Sequence, residues 1–215
     1  MKLAIVAGAH GTGKTALILH VARHAREAGL APGVFKVDAV EAADDEVYRR
    51  HGFAAAGHAA RDVCPDHEAM VVLADAWRWG TGQGLGLLVV ETAGLCHRCS
   101  PFLGRALAVC VVSGLSGLRT PEKMRPIVEQ ADVVVLTRAE MLGHAERQVL
   151  LGGLAAINPR AALVHADGLT GEGTRLVSAA VLRTPDLRLL PVERLRSSLP
   201  MGYCHFCQGM GSGHE

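Results

Sequence analysis

The sequence predicts an α/β domain in which a mostly parallel β-sheet is covered by helices on both faces. Short apolar runs alternate along the chain with longer segments of helical periodicity, which is the order of elements in a β-α-β protein. Apart from a lysine in each of the first two, the runs are apolar at successive rather than alternate positions, as expected for strands buried on both faces. With 215 residues, of which 49% are hydrophobic, the chain suits one such domain with a sizeable core.

The predicted strands and helices alternate over most of the chain. The strands are expected at Lys2–Ala7, Val34–Val37, Leu87–Val90, Ala108–Val112, Val133–Leu136 and Ala161–Val164. The helices are expected at Lys14–Ala28, Glu41–Arg50, Glu68–Trp79, Pro121–Glu129, Ala145–Ala156 and Thr174–Leu182. Residues 52–66 show no clear period and are predicted to be a mobile segment.

The character of the chain changes after Leu182. Residues 183–200 are rich in Leu, Arg and Pro, and residues 201–215 form a Gly-rich tail that contains two cysteines. We therefore expect a folded domain at residues 1–182 and a C-terminal extension at residues 183–215.

Charge balance and cysteine content limit the classes of function. A net charge of +1 gives no electrostatic reason to expect nucleic acid or an anionic membrane as a partner. No signal peptide is visible, and no apolar run reaches the roughly 18 residues that span a bilayer, so we expect a cytoplasmic protein. The six cysteines are then reduced thiols, available for metal or redox chemistry rather than for disulfides.

A Gly-rich loop between the first predicted strand and the first predicted helix carries the clearest chemical signal. Residues 8–15 are Gly-Ala-His-Gly-Thr-Gly-Lys-Thr, which fits the phosphate-binding pattern Gly-x-x-x-x-Gly-Lys-Ser/Thr in its required context. Backbone N–H groups of the loop would surround the β-phosphate, Lys14 would reach the β- and γ-phosphates, and Thr15 would place its hydroxyl on Mg²⁺. Residues 1–182 are thus predicted to be a P-loop NTPase domain. The nucleotide-binding residues of this loop are expected to be Gly8, His10, Gly11, Thr12, Gly13, Lys14, Thr15 and Ala16.

Two acidic residues that end predicted strands are candidates for the Mg²⁺ shell. The strand at 87–90 is followed by Glu91 and, three residues later, by Gly94, whose N–H is available to the γ-phosphate. Asp38 ends the second strand and is the other candidate, although a turn or helix N-cap residue would also fit this position. The catalytic residues are expected to be Lys14, Thr15, Asp38 and Glu91, the last three of them around Mg²⁺.

Four of the cysteines form two Cys-x-x-Cys pairs. One pair, Cys96 and Cys99, follows closely after Gly94, and the other, Cys204 and Cys207, lies in the tail. Each pair supplies half of a tetrahedral thiolate site of the kind that Zn²⁺ or an Fe–S cluster uses. The pairs can meet within one chain, or the first pair can meet its counterpart across the two-fold axis of a dimer. Four unrelated thiols are the alternative.

A third cluster, Cys64-Pro65-Asp66-His67, places a thiol and an imidazole three residues apart. Such a pair can share Ni²⁺ or Zn²⁺, and Pro65 stiffens the link between the two ligands. A helix cap at Asp66 beside a buried Cys64 would explain the same residues without a metal.

The order of these motifs resembles that of the nickel-chaperone GTPases that mature urease and hydrogenase, a branch of the dimeric P-loop GTPases. The similarity spans Met1 to Leu182. Val37-Asp38 matches a family strand that ends in Asp, and residues 64–67 are similar to the family's Cys-Pro-His motif with one residue inserted. Residues 91–94 are similar to its Glu-Ser-Gly-Gly segment, and residues 170–173, Thr-Gly-Glu-Gly, match a turn near the base of the nucleotide.

The resemblance implies a nucleotide-dependent homodimer that carries metal at its interface, with Cys64 and His67 among the ligands. It also implies a client metalloenzyme or an accessory maturation protein as partner. The two Cys-x-x-Cys pairs are additions to the family pattern. They resemble the thiolate pairs at the dimer interfaces of related ATPases that insert nickel into carbon monoxide dehydrogenase or carry an Fe–S cluster.

The segment expected to read the base also departs from the family pattern. Where the family has Asn-Lys-x-Asp, this chain has Thr137, Arg138, Ala139 and Glu140. Glu140 can still accept hydrogen bonds from guanine N1–H and N2–H, and Arg138 can stack on the base, but Thr137 lacks the amide of Asn. Both GTP and ATP therefore stay open as the nucleotide.

The sequence as a whole favours a metallochaperone NTPase, in which hydrolysis of GTP or ATP is coupled to metal delivery and is slow without a client. Nucleotide binding would order the segments after Gly94 and near Asp38, and so shift the thiolates between holding and releasing metal. One alternative is a P-loop small-molecule kinase, which would leave the cysteines unexplained. The other is a zinc-stabilised nucleotide switch without turnover, in which the four paired thiols form a structural site.

Overall fold

The computed structural model describes residues 1–38, 45–60, 64–94, 100, 102–190 and 195–196. The strands are β1 (Lys2–Ala7), β2 (Pro32–Asp38), β3 (Ala54–Ala59), β4 (Leu87–Thr92), β5 (Leu107–Ser113), β6 (Val133–Thr137) and β7 (Ala162–Ala166). They form one sheet in the order β3-β2-β4-β1-β5-β6-β7, and every pair of neighbouring strands in it is parallel. The predicted α/β fold of the P-loop NTPases is thus confirmed.

Helices cover both faces of this sheet. They are α1 (Lys14–Glu27), α2 (Asp45–Arg50), α3 (Pro65–Val71), α4 (Leu73–Gly82), α5 (Thr120–Lys123), α6 (Arg125–Gln130), α7 (His144–Ile157) and α8 (Thr174–Arg183). Short 3₁₀ turns lie at Gly114–Ser116 and Ala139–Met141. Within the described ranges, no helix is both long and apolar enough to cross a membrane.

Successive side chains of β1 alternate between two hydrophobic layers, one on each face of the sheet. Leu3 and Ile5 join the layer that packs under α3, α4, α6 and α7. Ala4 and Val6 join the layer under α1, α2 and α8. A strand between two such layers buries side chains on both faces, which explains why apolar residues follow one another in the sequence.

The structure corrects the prediction of a mobile segment at residues 52–66. Ala54–Ala59 form β3, an edge strand whose six residues pair in register with Gly33–Asp38 of β2. Its sequence, Ala-Ala-Ala-Gly-His-Ala, lacks the branched and aromatic side chains that favour strands. Pairing with β2, rather than local propensity, therefore determines this strand.

Two helices predicted as continuous are each divided in the structure. The segment predicted at Glu68–Trp79 belongs to α3 and α4, which meet at Val72. The segment predicted at Pro121–Glu129 belongs to α5 and α6, which meet at Met124. Pro126 explains the second break, because proline has no N–H with which to continue the helical hydrogen bonds.

The described part of the C-terminal extension packs against the edge of the sheet where β5 and β6 begin. Leu187 is buried and exchanges two hydrogen bonds of 3.0 Å with the first residue of the chain. Leu195 pairs with Leu103 in an antiparallel bridge. The guanidinium of Arg196 donates to both carboxylate oxygens of Asp132, at 2.7 and 2.8 Å, and to three backbone carbonyls. These bonds fasten the chain at residue 196, shortly before the cysteine-containing tail.

Candidate nucleotide and metal site

The Gly-rich loop at residues 8–15 joins β1 to α1 at the carboxyl edge of the sheet. Gly11 and Gly13 have φ angles of 73° and 90°, in the left-handed region that favours glycine. A Cβ on Gly8 would lie only 2.4 Å from the carbonyl oxygen of Val111. Gly13 is the residue before α1, so the free N–H groups of the first helical turn point into the loop. The loop therefore has the form that binds a chain of phosphates.

Lys14 is buried in this loop, with 8% of its surface exposed. Its ammonium donates to two carbonyls of the loop itself, Gly8 O at 2.8 Å and Ala9 O at 3.0 Å. Burial lowers the pKa of Lys14, the Glu91 carboxylate opposes this shift, and the Lys36 ammonium adds to it. Neutral carbonyls offset only part of the cost of burying a charge, and an anionic phosphate would offset more of it.

A carboxylate at the end of β4 is the centre of a polar cluster beside the loop. Glu91 is buried, and its Oε1 accepts from Thr15 Oγ1 at 3.0 Å while its Oε2 accepts from the Tyr48 hydroxyl at 2.6 Å. The Lys36 ammonium lies 4.0 Å from Glu91 Oε2 and 3.4 Å from Asp38 Oδ2. The three residues expected around Mg²⁺ thus belong to one cluster. Hydroxyl and carboxylate oxygens are ligands that Mg²⁺ prefers, so the residues present fit this ion.

Two members of the cluster, Lys36 and Tyr48, are not identified by the sequence analysis. Lys36 does leave a signal, because it is the charged residue inside the apolar run Val34–Val37, and it pairs in register with Glu91. Tyr48 leaves none, because it lies in a polar helix and is separated from Glu91 by 43 positions of sequence. Only the fold shows that its hydroxyl reaches the carboxylate.

We expect Tyr48→Phe to lower the rate of nucleotide hydrolysis roughly tenfold, because a hydrogen bond to a charged group is lost. The aromatic ring stays in the core, while Glu91 loses the bond that fixes Oε2. Single-turnover hydrolysis of labelled nucleotide measures the rate. Tyr203→Phe changes the other tyrosine of the chain and is the matched control. Equal rates in Tyr48→Phe and the unchanged protein would contradict this role of the hydroxyl.

Gly94, the predicted contact of the γ-phosphate, lies against the start of the loop. Its φ is 62°, and a Cβ there would lie 2.5 Å from the backbone nitrogen of Gly8. The Gly94 N–H donates to Oδ1 of Asp66, which also accepts from Thr92 Oγ1 at 3.4 Å. Asp66 is 1% exposed, so a buried carboxylate reaches from α3 to the residues that follow β4.

The Cys64-to-His67 motif forms the start of α3. Cys64 is the N-cap residue, Pro65 is the first residue of the helix, and His67 is buried in the first turn. The cap position thus belongs to Cys64 and not, as the alternative interpretation held, to Asp66. In the part of the chain that the structure describes, no three His, Cys, Asp or Glu side chains are grouped to hold a metal ion. The predicted ligands Cys96, Cys99, Cys204 and Cys207 lie outside that part.

The segment expected to read the base is tied to the phosphate loop. Thr137 is buried and donates to the carbonyl of Thr12 at 2.7 Å. Arg138 has a φ of 54° and donates to the carbonyl of Gly11 at 2.7 Å. Glu140 lies in the 3₁₀ turn that follows and is exposed. Glu140 is the one carboxylate among these three residues, and its exposure makes it accessible to a base.

Comparison with known proteins identifies the family of this chain. Residues 2–165 match the family model of the CobW/HypB/UreG nucleotide-binding domain. The chain is 36% identical over 209 residues to an uncharacterized protein of Methanocaldococcus jannaschii, and the match covers 97% of this chain and 89% of the relative.

Two solved structures are similar over most of their length. The hydrogenase maturation factor HypB of Archaeoglobus fulgidus gives a TM-score of 0.69 at 25% identity, over 85% of this chain and 89% of its own. HypB of Helicobacter pylori, in complex with nickel, gives a TM-score of 0.72 at 15% identity, over 88% of this chain and 92% of its own. This second likeness concerns the fold alone. The family model covers most of the chain, and the phosphate loop has the geometry described above. This chain therefore belongs to the CobW/HypB/UreG family of P-loop nucleotide-binding proteins.

Proposed function

We propose that this protein is a nucleotide-dependent metallochaperone NTPase. It would couple hydrolysis of GTP or ATP to delivery of a metal ion to a maturing metalloenzyme. The proposed metal is nickel. The observation that supports this most is the bond between the Gly94 N–H, at the phosphate loop, and the Asp66 carboxylate, inside the Cys64-to-His67 motif. A phosphate site and a candidate metal motif thus share a direct contact. The family, and the similarity to the hydrogenase maturation factor HypB of Archaeoglobus fulgidus at 25% identity, support the metal part of the proposal.

Each residue of the site has a proposed role in hydrolysis. The loop amides and Lys14 hold the β- and γ-phosphates and stabilise charge on the transferring phosphoryl group. Thr15, with Asp38 and Glu91, would hold Mg²⁺, which when bound neutralises charge on the phosphate oxygens. Glu91, fixed by the Tyr48 hydroxyl, accepts a hydrogen bond from the attacking water. Turnover should be slow until a client completes the site, as in other P-loop enzymes that require a partner.

The nucleotide is proposed to be GTP rather than ATP. Guanine presents two donors, N1–H and N2–H, to a carboxylate, whereas adenine presents an unprotonated N1 at the same edge. Glu140 is exposed next to residues that contact the loop, which supports it as the acceptor. Arg138 is proposed to stack on the base. Thr137 is proposed to hold the phosphate loop through its hydrogen bond to the Thr12 carbonyl.

We expect Glu140→Ala to weaken GTP binding roughly tenfold or more and to leave ATP binding unchanged, because charge-assisted hydrogen bonds to guanine are lost. Fluorescence titration with labelled GTP and ATP measures both affinities. Glu122→Ala, which removes an exposed carboxylate on α5, is the matched control. An equal loss for both nucleotides would contradict the assignment of Glu140 to guanine.

We also propose that Cys96, Cys99, Cys204 and Cys207 bind metal together within one chain. The support comes from the attachment of the tail, since Leu195 is paired with Leu103 and Arg196 is fastened to Asp132. Cys99 lies four positions before Leu103, and Cys204 lies eight positions after Arg196. Such segments reach at most about 14 Å and 28 Å, so the two pairs can meet without a second subunit.

Cys64 and His67 are proposed to hold the ion that is delivered. A thiolate and an imidazole suit Ni²⁺ and Zn²⁺ but supply only part of a coordination shell. The same residues of a second copy would complete the shell in a nucleotide-dependent homodimer.

One experiment tests the function as a whole. The protein is purified anaerobically, its nickel, zinc, iron and sulfide are measured, and Ni²⁺ and Zn²⁺ are titrated with and without GTP and ATP. We expect bound metal, a metal affinity that depends on the nucleotide, and loss of one class of metal in the double change Cys204→Ser and Cys207→Ser. A metal affinity that is the same with and without nucleotide would contradict the proposed metallochaperone function. It would favour a zinc-stabilised switch if turnover is absent, or a kinase if an acceptor is phosphorylated.

A further inference from the structure

We propose that Asp66 is a positioning residue that couples the γ-phosphate to the Cys64-to-His67 motif, by holding the Gly94 N–H until a nucleoside triphosphate displaces it. This inference rests on the proposed function, because it concerns how the nucleotide changes the metal motif. It assigns a purpose to the residue inserted between the proline and the histidine of the motif. The sequence alone offered that residue only as a possible helix cap.

The geometry brings Asp66 from α3 to the residues that end β4, beside the phosphate site. Its Oδ1 accepts from the Gly94 N–H and, at 3.4 Å, from the hydroxyl of Thr92. Gly94 is packed so closely on Gly8 that a Cβ would lie 2.5 Å from the Gly8 nitrogen. The negative charge of Asp66 is also near enough to act on Lys14. The carboxylate therefore lies beside the groups that a γ-phosphate would use.

A γ-phosphate and this carboxylate compete for the same donor. A backbone N–H has one hydrogen and makes one strong hydrogen bond. Asp66 is 1% exposed, and two anions in a buried site repel each other much more than they do in water. Entry of the γ-phosphate at Gly94 should therefore break the bond to Asp66. A diphosphate, which lacks the third phosphate, should leave that bond intact.

We infer that displacement of Asp66 acts on the candidate metal ligands through the helix turn that they share. Asp66 lies between Pro65 and His67 in the first turn of α3, and Cys64 is the N-cap of the same helix. The Glu68 N–H donates to the Cys64 carbonyl at 3.0 Å, so this turn is held together as a unit. A shift of the Asp66 side chain away from Gly94 thus acts on the thiol and the imidazole that flank it. The γ-phosphate would in this way shift the two metal ligands together, relative to the rest of the site.

The test compares Asp66→Asn with the unchanged protein in two measurements. The first is the ratio of the Kd for GDP to the Kd for a non-hydrolysable GTP analogue, from fluorescence titration. We expect this ratio to rise roughly tenfold in the variant, because the repulsion that opposes the γ-phosphate is removed. The second is Ni²⁺ affinity in competition with a chromophoric chelator, with each nucleotide bound. In the unchanged protein the Ni²⁺ affinity should differ between the two nucleotides. In the variant this difference should be less than about twofold.

Asp75→Asn, on the neighbouring helix α4, removes an exposed carboxylate and is the matched control. An unchanged ratio of nucleotide affinities in Asp66→Asn overturns the role of Asp66, even where Ni²⁺ binding responds to the nucleotide in the unchanged protein. Equal Ni²⁺ affinity of the unchanged protein with both nucleotides overturns the proposed function and the coupling together. The two failures are therefore distinct.

If Asp66→Asn does not fold, a measurement on the unchanged protein tests whether the γ-phosphate displaces Asp66 from the Gly94 N–H. The hydrogen bond from the Gly94 N–H to the Asp66 carboxylate can be followed by NMR, through the scalar coupling that it transmits between nitrogen and carboxyl carbon. We expect the coupling with GDP and its loss with the GTP analogue. A coupling that persists with both nucleotides overturns the proposal, because the carboxylate would then not have been displaced.

Discussion

Lys14→Met is expected to lower nucleotide hydrolysis about a hundred- to a thousandfold, because a preorganised donor to the reacting group is removed. The Lys14 ammonium lies inside the phosphate loop, where it donates to the carbonyls of Gly8 and Ala9. Methionine keeps most of the length and the apolar stem of the side chain and loses the charge. Steady-state phosphate release measures the effect. Lys123→Met, which changes an exposed lysine on α5, is the control and should hydrolyse at the unchanged rate.

The same change should not lower the stability of the nucleotide-free protein at neutral pH. Burial holds the pKa of Lys14 below 10.5, so the folded state is penalised for the charge below that lowered pKa. The penalty is relieved as the pH rises from the lowered pKa to 10.5, where the unfolded chain binds more protons than the folded one. Thermal unfolding at several pH values should therefore show that the stability of the unchanged protein, relative to that of Lys14→Met, increases with pH. A large loss of stability in the variant at pH 7 would mean that Lys14 supports the fold rather than the phosphates.

The phosphate loop could be predicted from the sequence because its chemistry is local. Residues 8–15 need only their own glycines, the strand before them and the helix after them to form an anion site. Glu91 and Asp38 could also be found, because parallel strands bring their carboxyl ends to one edge of the sheet. The structure places both of them around Lys36 at that edge.

The partners of these residues could not be predicted, because they depend on contacts across the fold. Tyr48 reaches Glu91 only when α2 packs on the layer that also contains β4 residues. Asp66 reaches Gly94 only because α3 lies beside the end of β4. The edge strand β3 is formed by pairing with β2 and leaves no signal in its own composition. Sequence patterns that repeat within one element are thus easier to interpret than side chains that meet between elements.

Glu91→Gln is expected to lower hydrolysis about a hundred- to a thousandfold, because a carboxylate that orders charge and water at the reacting phosphate is neutralised. Glutamine has nearly the shape of glutamate, but one of its two terminal atoms donates, so it cannot accept from both Thr15 and Tyr48 as Glu91 does. The rate should also need a higher Mg²⁺ concentration to saturate. Glu129→Gln, an exposed change at the end of α6, is the control.

The pH dependence of the hydrolysis rate distinguishes the effect of the Glu91 charge from the effect of its hydrogen bonds. The Glu91 carboxylate raises the pKa of Lys14, against the larger lowering by burial, so its loss should leave Lys14 with a still lower pKa. Hydrolysis needs the protonated lysine, and the alkaline limb of the rate profile should therefore move to lower pH in Glu91→Gln. Tyr48→Phe keeps the carboxylate and should leave that limb in place while the rate falls. If neither variant shifts the limb, or both shift it equally, the coupling between the Glu91 charge and the protonation of Lys14 does not set the alkaline limit of the rate.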